Sequence, residues 1–209
     1  MFSGIVESLQ PILNVQKGAG DLIRVKVQKP PQFDDLRTGD SIATDGVCLT
    51  VEAFGVDSLT FALAAETLKV LHWSPENPEA MLGKKLNLER SLRFGDRIHG
   101  HLVTGHVDSL GEVLRSEGSG ENWFLDVKVA AAVLPFIWKK GSITLNGVSL
   151  TVNDVSGDKV SVGLIPETVK RTNLGDLKQG SFVNVEPDYM AKALHRMIET
   201  QEIASRPTT

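Results

Sequence analysis

The sequence predicts an all-β protein of two tandem β-barrels followed by a C-terminal α-helix. Three observations support this fold class: an internal repeat, alternating β-type hydrophobicity with glycine turns, and an apolar helical stripe beyond the repeat. When residue n is aligned with residue n+101, 15 of 26 positions are identical in three paired blocks. Unrelated segments of ordinary composition would match at about two of these positions. The paired blocks are 3–13 with 104–114, 41–51 with 142–152, and 66–69 with 167–170.

Each repeat carries the signals of short antiparallel strands. In residues 22–27, Leu22, Arg24 and Lys26 alternate with the β-branched Ile23, Val25 and Val27, a period of two that is typical of a half-buried strand. Asp45-Gly46 and Asn146-Gly147 each separate two β-rich runs and predict tight hairpin turns. With about six strands in each copy, closure into a barrel removes the exposed edges of a small sheet. We therefore expect a first barrel over residues 1–100 and a second over 101–188.

The remaining residues, 189–209, form a helix and tail outside both repeats. Met190, Leu194, Met197 and Ile198 follow one another at three- and four-residue spacing, which predicts one apolar helical face. That face either packs on the chain's own barrels or contacts another subunit. The first repeat also carries extra residues within 71–80, where prolines and polar residues predict a loop.

Composition restricts the partners that we expect. The chain has 209 residues and a net charge of −4, whereas a non-specific nucleic-acid binder needs an excess of basic residues. It shows no apolar stretch near the ~20 residues of a membrane span and no secretory signal at its start. The single cysteine, Cys48, excludes an intrachain disulfide and fits a reducing cytoplasm. We expect a cytoplasmic protein without a nucleic-acid or membrane partner and without a metal site.

Candidate chemistry comes from comparing the two copies. Positions kept in both report what the fold and a shared ligand require, although hydrogen bonding in turns and ladders also explains most of them. They are Gly4/Gly105, Ser41/Ser142, Gly46/Gly147, Thr50/Thr151 and Glu66-Thr67/Glu167-Thr168. Positions that differ indicate specialisation of two pockets: Cys48/Ser149, Ile5/His106 and Asp45/Asn146. A buried small thiol and a structural histidine remain the simpler interpretations of Cys48 and His106.

Five motifs, together with the duplication itself, resemble riboflavin synthase of the α-chain type. The resemblance extends from residue 1 to about residue 200, and the motifs are residues 1–7, 46–51, 100–107, 147–152, and 164–168 followed by 172–174. The chain departs from the family where Glu66-Thr67-Leu68 is not followed by Thr-Asn-Leu, and where Asn146 replaces a common Asp.

The resemblance implies a homotrimer of two six-stranded Greek-key barrels with a C-terminal helix that joins subunits. It implies dismutation of two 6,7-dimethyl-8-ribityllumazine molecules, in which one donates a four-carbon unit to the other. The products are riboflavin and 5-amino-6-(D-ribitylamino)uracil. No metal or organic cofactor is implied, the site lies between neighbouring subunits, and an association with lumazine synthase fits the same family.

Site residues carried over by motif form two pockets. The first would use Gly4, Ile5, Val6, Cys48, Leu49, Thr50, Ala62, Leu63, Ala64, Ala65, Glu66 and Thr67. The second would use Gly105, His106, Val107, Lys140, Ser149, Leu150, Thr151, Ile165, Pro166, Glu167, Thr168, Val169 and Lys170.

Catalytic roles follow from the reaction that the resemblance implies. A proton must leave a methyl group of one ring, and a neutral imidazole suits that step, so His106 is the expected base, assisted by Ser41 and Asp188. Cys48 and the hydroxyls of Ser149 and Thr151 are candidates to add to the other ring or to deliver water to it.

Three other protein classes share features with this sequence. A non-catalytic lumazine-binding antenna protein is the nearest, but both Gly-Val-Cys/Ser-Leu-Thr-Val blocks are intact, which favours the enzyme. A flavin-dependent reductase would need a nucleotide domain for which the chain has no room. An oligonucleotide-binding barrel is disfavoured by the acidic balance and by few Trp and Tyr residues for stacking.

Overall fold

A computed structural model describes residues 1–20, 22–71 and 77–205 of the chain. The first repeat folds into a closed antiparallel barrel of six strands, in the spatial order β1-β2-β5-β4-β3-β6. The second and fifth strands are neighbours in space although they are not consecutive in the chain, so the connection is a Greek key. The strands are β1 (Ser8–Lys17), β2 (Ile23–Gln28), β3 (Ser41–Thr44), β4 (Val47–Phe54), β5 (Ser58–Leu63) and β6 (Lys85–Arg90).

The second repeat closes in the same way. Its strands run in the order β7-β8-β11-β10-β9-β12, which reproduces the first barrel strand for strand. They are β7 (Ser109–Ser119), β8 (Asn122–Lys128), β9 (Ser142–Leu145), β10 (Val148–Ser156), β11 (Lys159–Leu164) and β12 (Phe182–Pro187). The predicted all-β tandem barrel fold is therefore confirmed. The exact boundary between residues 100 and 101 stays a prediction.

The strand alternation read from the sequence places the core. In β2 the side chains of Ile23, Val25 and Val27 are buried, while the residues between them are partly or fully exposed. Each barrel encloses its own cluster of such aliphatic side chains, and Leu125 and Ile143 occupy the interior of the second. Two independent cores of this kind explain why ~95 residues suffice for each copy.

Short helices close the barrels. Helix α1 (Ala65–Val70) follows β5 and helix α2 (Pro166–Arg171) follows β11, at equivalent places of the two repeats. Of the loop predicted over residues 71–80, residues 72–76 lie outside the described residues, and Pro78–Met81 form a short 3-10 helix.

Helix α3 (Tyr189–Ser205) extends beyond the second barrel as predicted, and the tail at 206–209 lies outside the described residues. One side of it touches the barrel, where the ring of His195 packs edge-on against Phe136 with centroids 5.1 Å apart. The apolar stripe is not covered by the chain's own barrels, since Leu194 and Met197 are 56% and 60% exposed. Within the described residues, no helix is both long and apolar enough to cross a membrane.

The two barrels meet at a pseudo-twofold axis through their hairpin turns. Gly46 and Gly147 face each other there, and a Cβ on either would lie 2.7 Å from the other's backbone nitrogen. Equivalent hydrogen bonds lie on the two sides of the axis. The side-chain amide of Asn87 donates to the backbone carbonyl of Asn146, and that of Asn184 donates to the backbone carbonyl of Asp45, both at 2.8 Å. The glycines are retained because no side chain fits where the turns touch.

Asn173 breaks this symmetry. It comes from the second repeat, and its Nδ2 donates to Asp45 Oδ1 at 2.8 Å while its Oδ1 accepts from Asn87 at 2.9 Å. The contact between the two barrels is called the seam below. Desolvation at the seam raises the pKa of Asp45 to about 7, although the hydrogen bonds donated by Asn87 and Asn173 and the charge of Lys84 oppose the shift. At the equivalent position the second repeat has Asn146, which carries no charge.

We expect Asp45→Asn to stabilise the fold at neutral and alkaline pH. The unfolded carboxyl ionises near pH 4, whereas the folded one keeps its proton until about pH 7, so the native chain loses stability between these values and not below them. The variant should gain about 1–3 kcal/mol of stability above pH 7 and should lose this part of the pH dependence. The expected gain is smaller than for a fully buried carboxyl, because the Asp45 side chain retains some contact with water. Urea denaturation at pH 4, 6 and 8 measures it.

The matched control is Asp57→Asn, which removes the same charge from an exposed position in the β4–β5 turn. It should leave the slope of stability against pH close to that of the unaltered chain. An Asp45→Asn protein with the unaltered slope would show that folding does not raise the pKa of Asp45.

Candidate functional site

Two chain segments outside the strands lie side by side between the barrels. The segment before β1 pairs with the segment before β7 through an antiparallel bridge between Phe2 and Val103. The Phe2 amide donates to the Val103 carbonyl at 2.8 Å, and the reverse bond measures 3.1 Å. Both side chains are buried, so the pair is a fixed part of the seam.

Each segment continues onto the barrel of the other repeat. The Gly4 carbonyl accepts from the Ser149 amide on β10, and the Gly105 carbonyl accepts from the Cys48 amide on β4, both at 2.8 Å. Val6 then belongs to the core cluster of the second barrel, and Val107 packs against that of the first. The segment before the first strand of each repeat, here called its leading segment, thus packs on the barrel of the other repeat.

The exchange requires glycine at both crossing points. Gly4 and Gly105 have φ of +76° and +79°, and a Cβ there would lie 2.6 Å and 2.7 Å from the Cβ atoms of Ser149 and Cys48. An L-residue would therefore meet both backbone strain and direct overlap.

Two buried carboxylates hold the segments in place. Glu89 accepts hydrogen bonds from the backbone N–H groups of Ser3 and Gly4 at 2.7 and 3.0 Å. Glu186 accepts the equivalent bonds from Thr104 and Gly105 at 2.8 and 3.1 Å. Burial raises the pKa of Glu89, and the bonds from Ser3, Gly4 and Ile5 counteract the rise.

A cleft opens where the second repeat's leading segment crosses the first barrel. Its volume is about 260 Å³, and it is bounded by β4, helix α1 and the segment that carries His106. The lining residues are Val47, Cys48, Glu66, Thr67, Val70, Leu71, Gly105, His106 and Val107. The exchange places Gly4 against Ser149 and Val6 in the core of the second barrel.

This geometry corrects the grouping expected from the sequence. Gly4, Ile5 and Val6 were assigned to one pocket with Cys48, and Gly105, His106 and Val107 to the other with Ser149. The structure pairs them the opposite way, because each leading segment reaches over to the neighbouring barrel. His106 and Cys48 consequently share a cleft.

Alternation along the strands separates the predicted binding residues. Leu49, Leu63 and Leu150 point into the barrel cores, with exposed fractions of 5%, 0% and 8%, so they offer a ligand little side-chain surface. Thr50 and Thr151 are exposed on the opposite face. The other predicted residues lie around the two equivalent helices: Ala62 on β5, Ala64 to Thr67 at the start of α1, and Ile165 to Lys170 at and along α2.

Lys140 is the residue with the clearest backbone signal. Its φ is +70°, whereas the equivalent residue of the first repeat is Gly39 with φ +97°. The backbone N–H of Lys140 donates to the Val152 carbonyl, and that of Gly39 donates to the equivalent Val51 carbonyl. A lysine in the left-handed region, where glycine would be free of strain, keeps Lys140 a candidate functional residue.

The predicted helpers of His106 do not contact it. Within the described residues, no hydrogen bond joins His106 to Ser41 or Asp188. Ser41 pairs with Thr50 across β3 and β4, and Asp188 accepts from the Met190 amide at 2.9 Å. Whether these residues act in catalysis stays a prediction.

No role was predicted from the sequence for Glu89 and Glu186, or for His101, which contacts Ser149. His101 lies within the motif over residues 100–107 but outside the aligned blocks of the two repeats. Glu89 and Glu186 likewise lie outside those blocks.

The two closed barrels, with a cleft beside Cys48, define a tandem β-barrel protein. A family model described as "Lumazine binding domain" matches it twice, over residues 3–91 and 104–188. The chain is similar along almost its whole length to curated riboflavin synthases. It is 35% identical to that of Actinobacillus pleuropneumoniae over 95% of this chain and 90% of the relative. It is 38% identical to that of Chlamydia trachomatis over 92% of each.

The chain therefore belongs to the riboflavin synthase family of lumazine-binding proteins. Among solved structures, it resembles LumP complexed with riboflavin at a TM-score of 0.79 and 25% identity, over 90% of this chain and 99% of LumP. LumP complexed with 6,7-dimethyl-8-(1'-D-ribityl) lumazine has the same fold at a TM-score of 0.78.

We expect Gly4→Ala and Gly105→Ala each to destabilise the protein by about 3–5 kcal/mol, from backbone strain together with overlap. Gly83→Ala is the matched control, because Gly83 also has φ +76° but a Cβ there meets nothing within 4 Å. It should cost about 1–2 kcal/mol. Thermal and urea unfolding compare the three variants. Equal losses at all three sites would show that strain alone, without the crossing contact, explains the glycines.

Proposed function

We propose that the protein is a riboflavin synthase that converts two molecules of 6,7-dimethyl-8-ribityllumazine into riboflavin and 5-amino-6-(D-ribitylamino)uracil. The observation that carries the proposal is the duplicated barrel, in which each leading segment packs on the barrel of the other repeat. A reaction between two copies of one substrate needs two similar sites, and the repeat supplies the same framework twice. Family membership and the intact glycine motifs of both repeats support it.

Differences between the copies support unequal roles for the two substrate molecules. Cys48 and His106 line one cleft, whereas at the equivalent place of the second barrel Ser149 is hydrogen-bonded to Gly4, the residue before Ile5. A thiol and an imidazole in one place, against a hydroxyl and an aliphatic side chain in the other, can make one ring donate carbon while the other accepts it. Holding the two rings in the correct relation would supply much of the rate enhancement.

His106 is the residue that we propose as the proton acceptor. Its side chain is exposed at the Cys48 cleft, where a bound ring would cover it. Cys48, Ser149 and Thr151 would add to the ring or deliver water, and Ser41, Asp188 and Lys140 would complete the site from neighbouring surfaces. The proposal includes no metal and no organic cofactor.

The proposed assembly is a homotrimer, held in part by helix α3. Its stripe of Met190, Leu194, Met197 and Ile198 is 50–60% exposed in the isolated chain, which suits burial against another subunit. Such an assembly would bring a cleft of one subunit to face a cleft of its neighbour. A cytoplasmic location and an association with lumazine synthase belong to the same proposal.

The direct test is to mix the purified protein with 6,7-dimethyl-8-ribityllumazine and to follow riboflavin absorbance, with the ligand titrated by fluorescence in parallel. We expect riboflavin to form without added cofactor and two ligand equivalents to bind per chain. Binding without any riboflavin would instead support a non-catalytic lumazine-binding protein, to which the fold shared with LumP would then point.

We expect His106→Ala to lower kcat by about 10²-fold or more while lumazine still binds, because the variant lacks the proton acceptor. His99→Ala, at an exposed position in the preceding loop, is the control and should keep its activity. Stopped-flow turnover and equilibrium titration separate the two effects. Near-normal turnover by His106→Ala would exclude His106 as the base.

A further inference from the structure

The imidazole of His101 joins two hydroxyl groups on neighbouring strands. Its Nδ1 lies 2.8 Å from Ser149 Oγ, and its Nε2 lies 3.2 Å from Thr144 Oγ1. Ser149 and Thr144 are directly opposite each other on β10 and β9. Cβ atoms of such pairs are about 4.5–5.5 Å apart, a gap that an imidazole with one nitrogen on each side can bridge.

The backbone fixes the ring in this place. The His101 amide donates to the Ser3 carbonyl at 3.2 Å. Gly100 lies so close to the second barrel that a Cβ would be 2.7 Å from Ser149 Oγ and 2.1 Å from the Ser3 carbonyl oxygen. The approach of this segment therefore depends on glycine and brings the histidine against Ser149.

The ring is neutral near pH 7. Burial lowers the pKa of His101, and the negative charges of Asp188 and Glu186 oppose this only in part. A neutral imidazole donates from one nitrogen and accepts at the other. Whether the Thr144 hydroxyl donates to the ring or accepts from it therefore decides which role the other ring nitrogen takes toward the Ser149 hydroxyl. Thr144 itself is 1% exposed, so it has no direct access to a ligand.

The first barrel has no such arrangement at the equivalent pair. Ala43 and Cys48 occupy the positions of Thr144 and Ser149. They pack with Phe2 and Val103 in a small apolar cluster. The two repeats thus differ in more than one side chain: one has a hydroxyl held by a buried hydrogen-bond chain, and the other has a thiol among apolar groups.

We propose that His101, supported by Thr144, is a positioning residue that holds the Ser149 hydroxyl in one orientation toward the substrate on the second barrel. The inference rests on the proposed function, since Ser149 is a residue of that site. It adds that the chemical inequality of the two sites depends on His101 and on a threonine that no substrate touches.

Thr144→Val tests this because it removes the far hydroxyl and retains the shape of the side chain. We expect kcat to fall about fivefold, the effect of one neutral hydrogen bond, with KM unchanged, and Thr144→Ser to restore the rate. In a Ser149→Ala background, Thr144→Val should cause no further loss. Thr44→Val is the control, since Thr44 is equally buried in the first barrel and its hydroxyl has no partner among the described residues. It should keep its activity.

A measurement that needs no turnover separates this inference from the proposed function. In protein labelled with ¹⁵N-histidine, the ring nitrogens of His101, assigned by comparison with His101→Gln, should report one fixed neutral tautomer. Thr144→Val and Ser149→Ala should each release it. An averaged tautomer in the unaltered protein would overturn the inference, as would a Thr144→Val enzyme with full kcat or an undiminished Thr144→Val effect in the Ser149→Ala background. Absence of riboflavin formation by the unaltered chain would overturn only the proposed function.

Discussion

The crossing of the two leading segments is the constraint on which the rest of the molecule depends. Two backbone bonds of 2.8 Å, from Ser149 to Gly4 and from Cys48 to Gly105, attach each segment to the barrel of the other repeat. The crossing holds because glycine permits the contact and because Glu89 and Glu186 satisfy the segments' N–H groups. The cleft beside Cys48 is formed by residues of both repeats, so the two copies make one structural unit.

Pseudo-symmetry and its departures divide the work between stability and chemistry. The hairpin turns meet with equivalent bonds from Asn87 and Asn184, and this part of the seam is nearly identical in both halves. Two differences between the repeats lie close to it. Asn173 of the second repeat bonds across the seam without an equivalent among the described residues of the first repeat. Ser149 has a hydrogen-bonded hydroxyl, whereas Cys48 at the equivalent position packs against an apolar cluster. A symmetric framework thus carries different side chains at its two equivalent positions.

The buried ionisable groups are matched to different tasks. Glu89 and Glu186 are surrounded by N–H donors, which compensate the desolvation of a carboxylate. Asp45 is less well compensated, so it is protonated near neutrality and weakens the seam as pH rises. His101 is neutral for the same reason of burial, and neutrality is what lets it both donate and accept. Burial favours the neutral form of both Asp45 and His101, and the hydrogen bonds of Asp45 only partly oppose the shift of its pKa.

By itself the sequence determined the duplication, the two barrels, the hairpin turns and the final helix, because these depend on local periodicity and on glycine at turns. It also identified Cys48, Ser149 and His106 as the positions at which the copies differ. Only the tertiary structure decided which segment faces which barrel, since two equivalent segments can dock in either way and the choice rests on contacts across the seam. For the same reason His101 became visible only through its neighbours Ser149 and Thr144, which are more than 40 positions away in the chain.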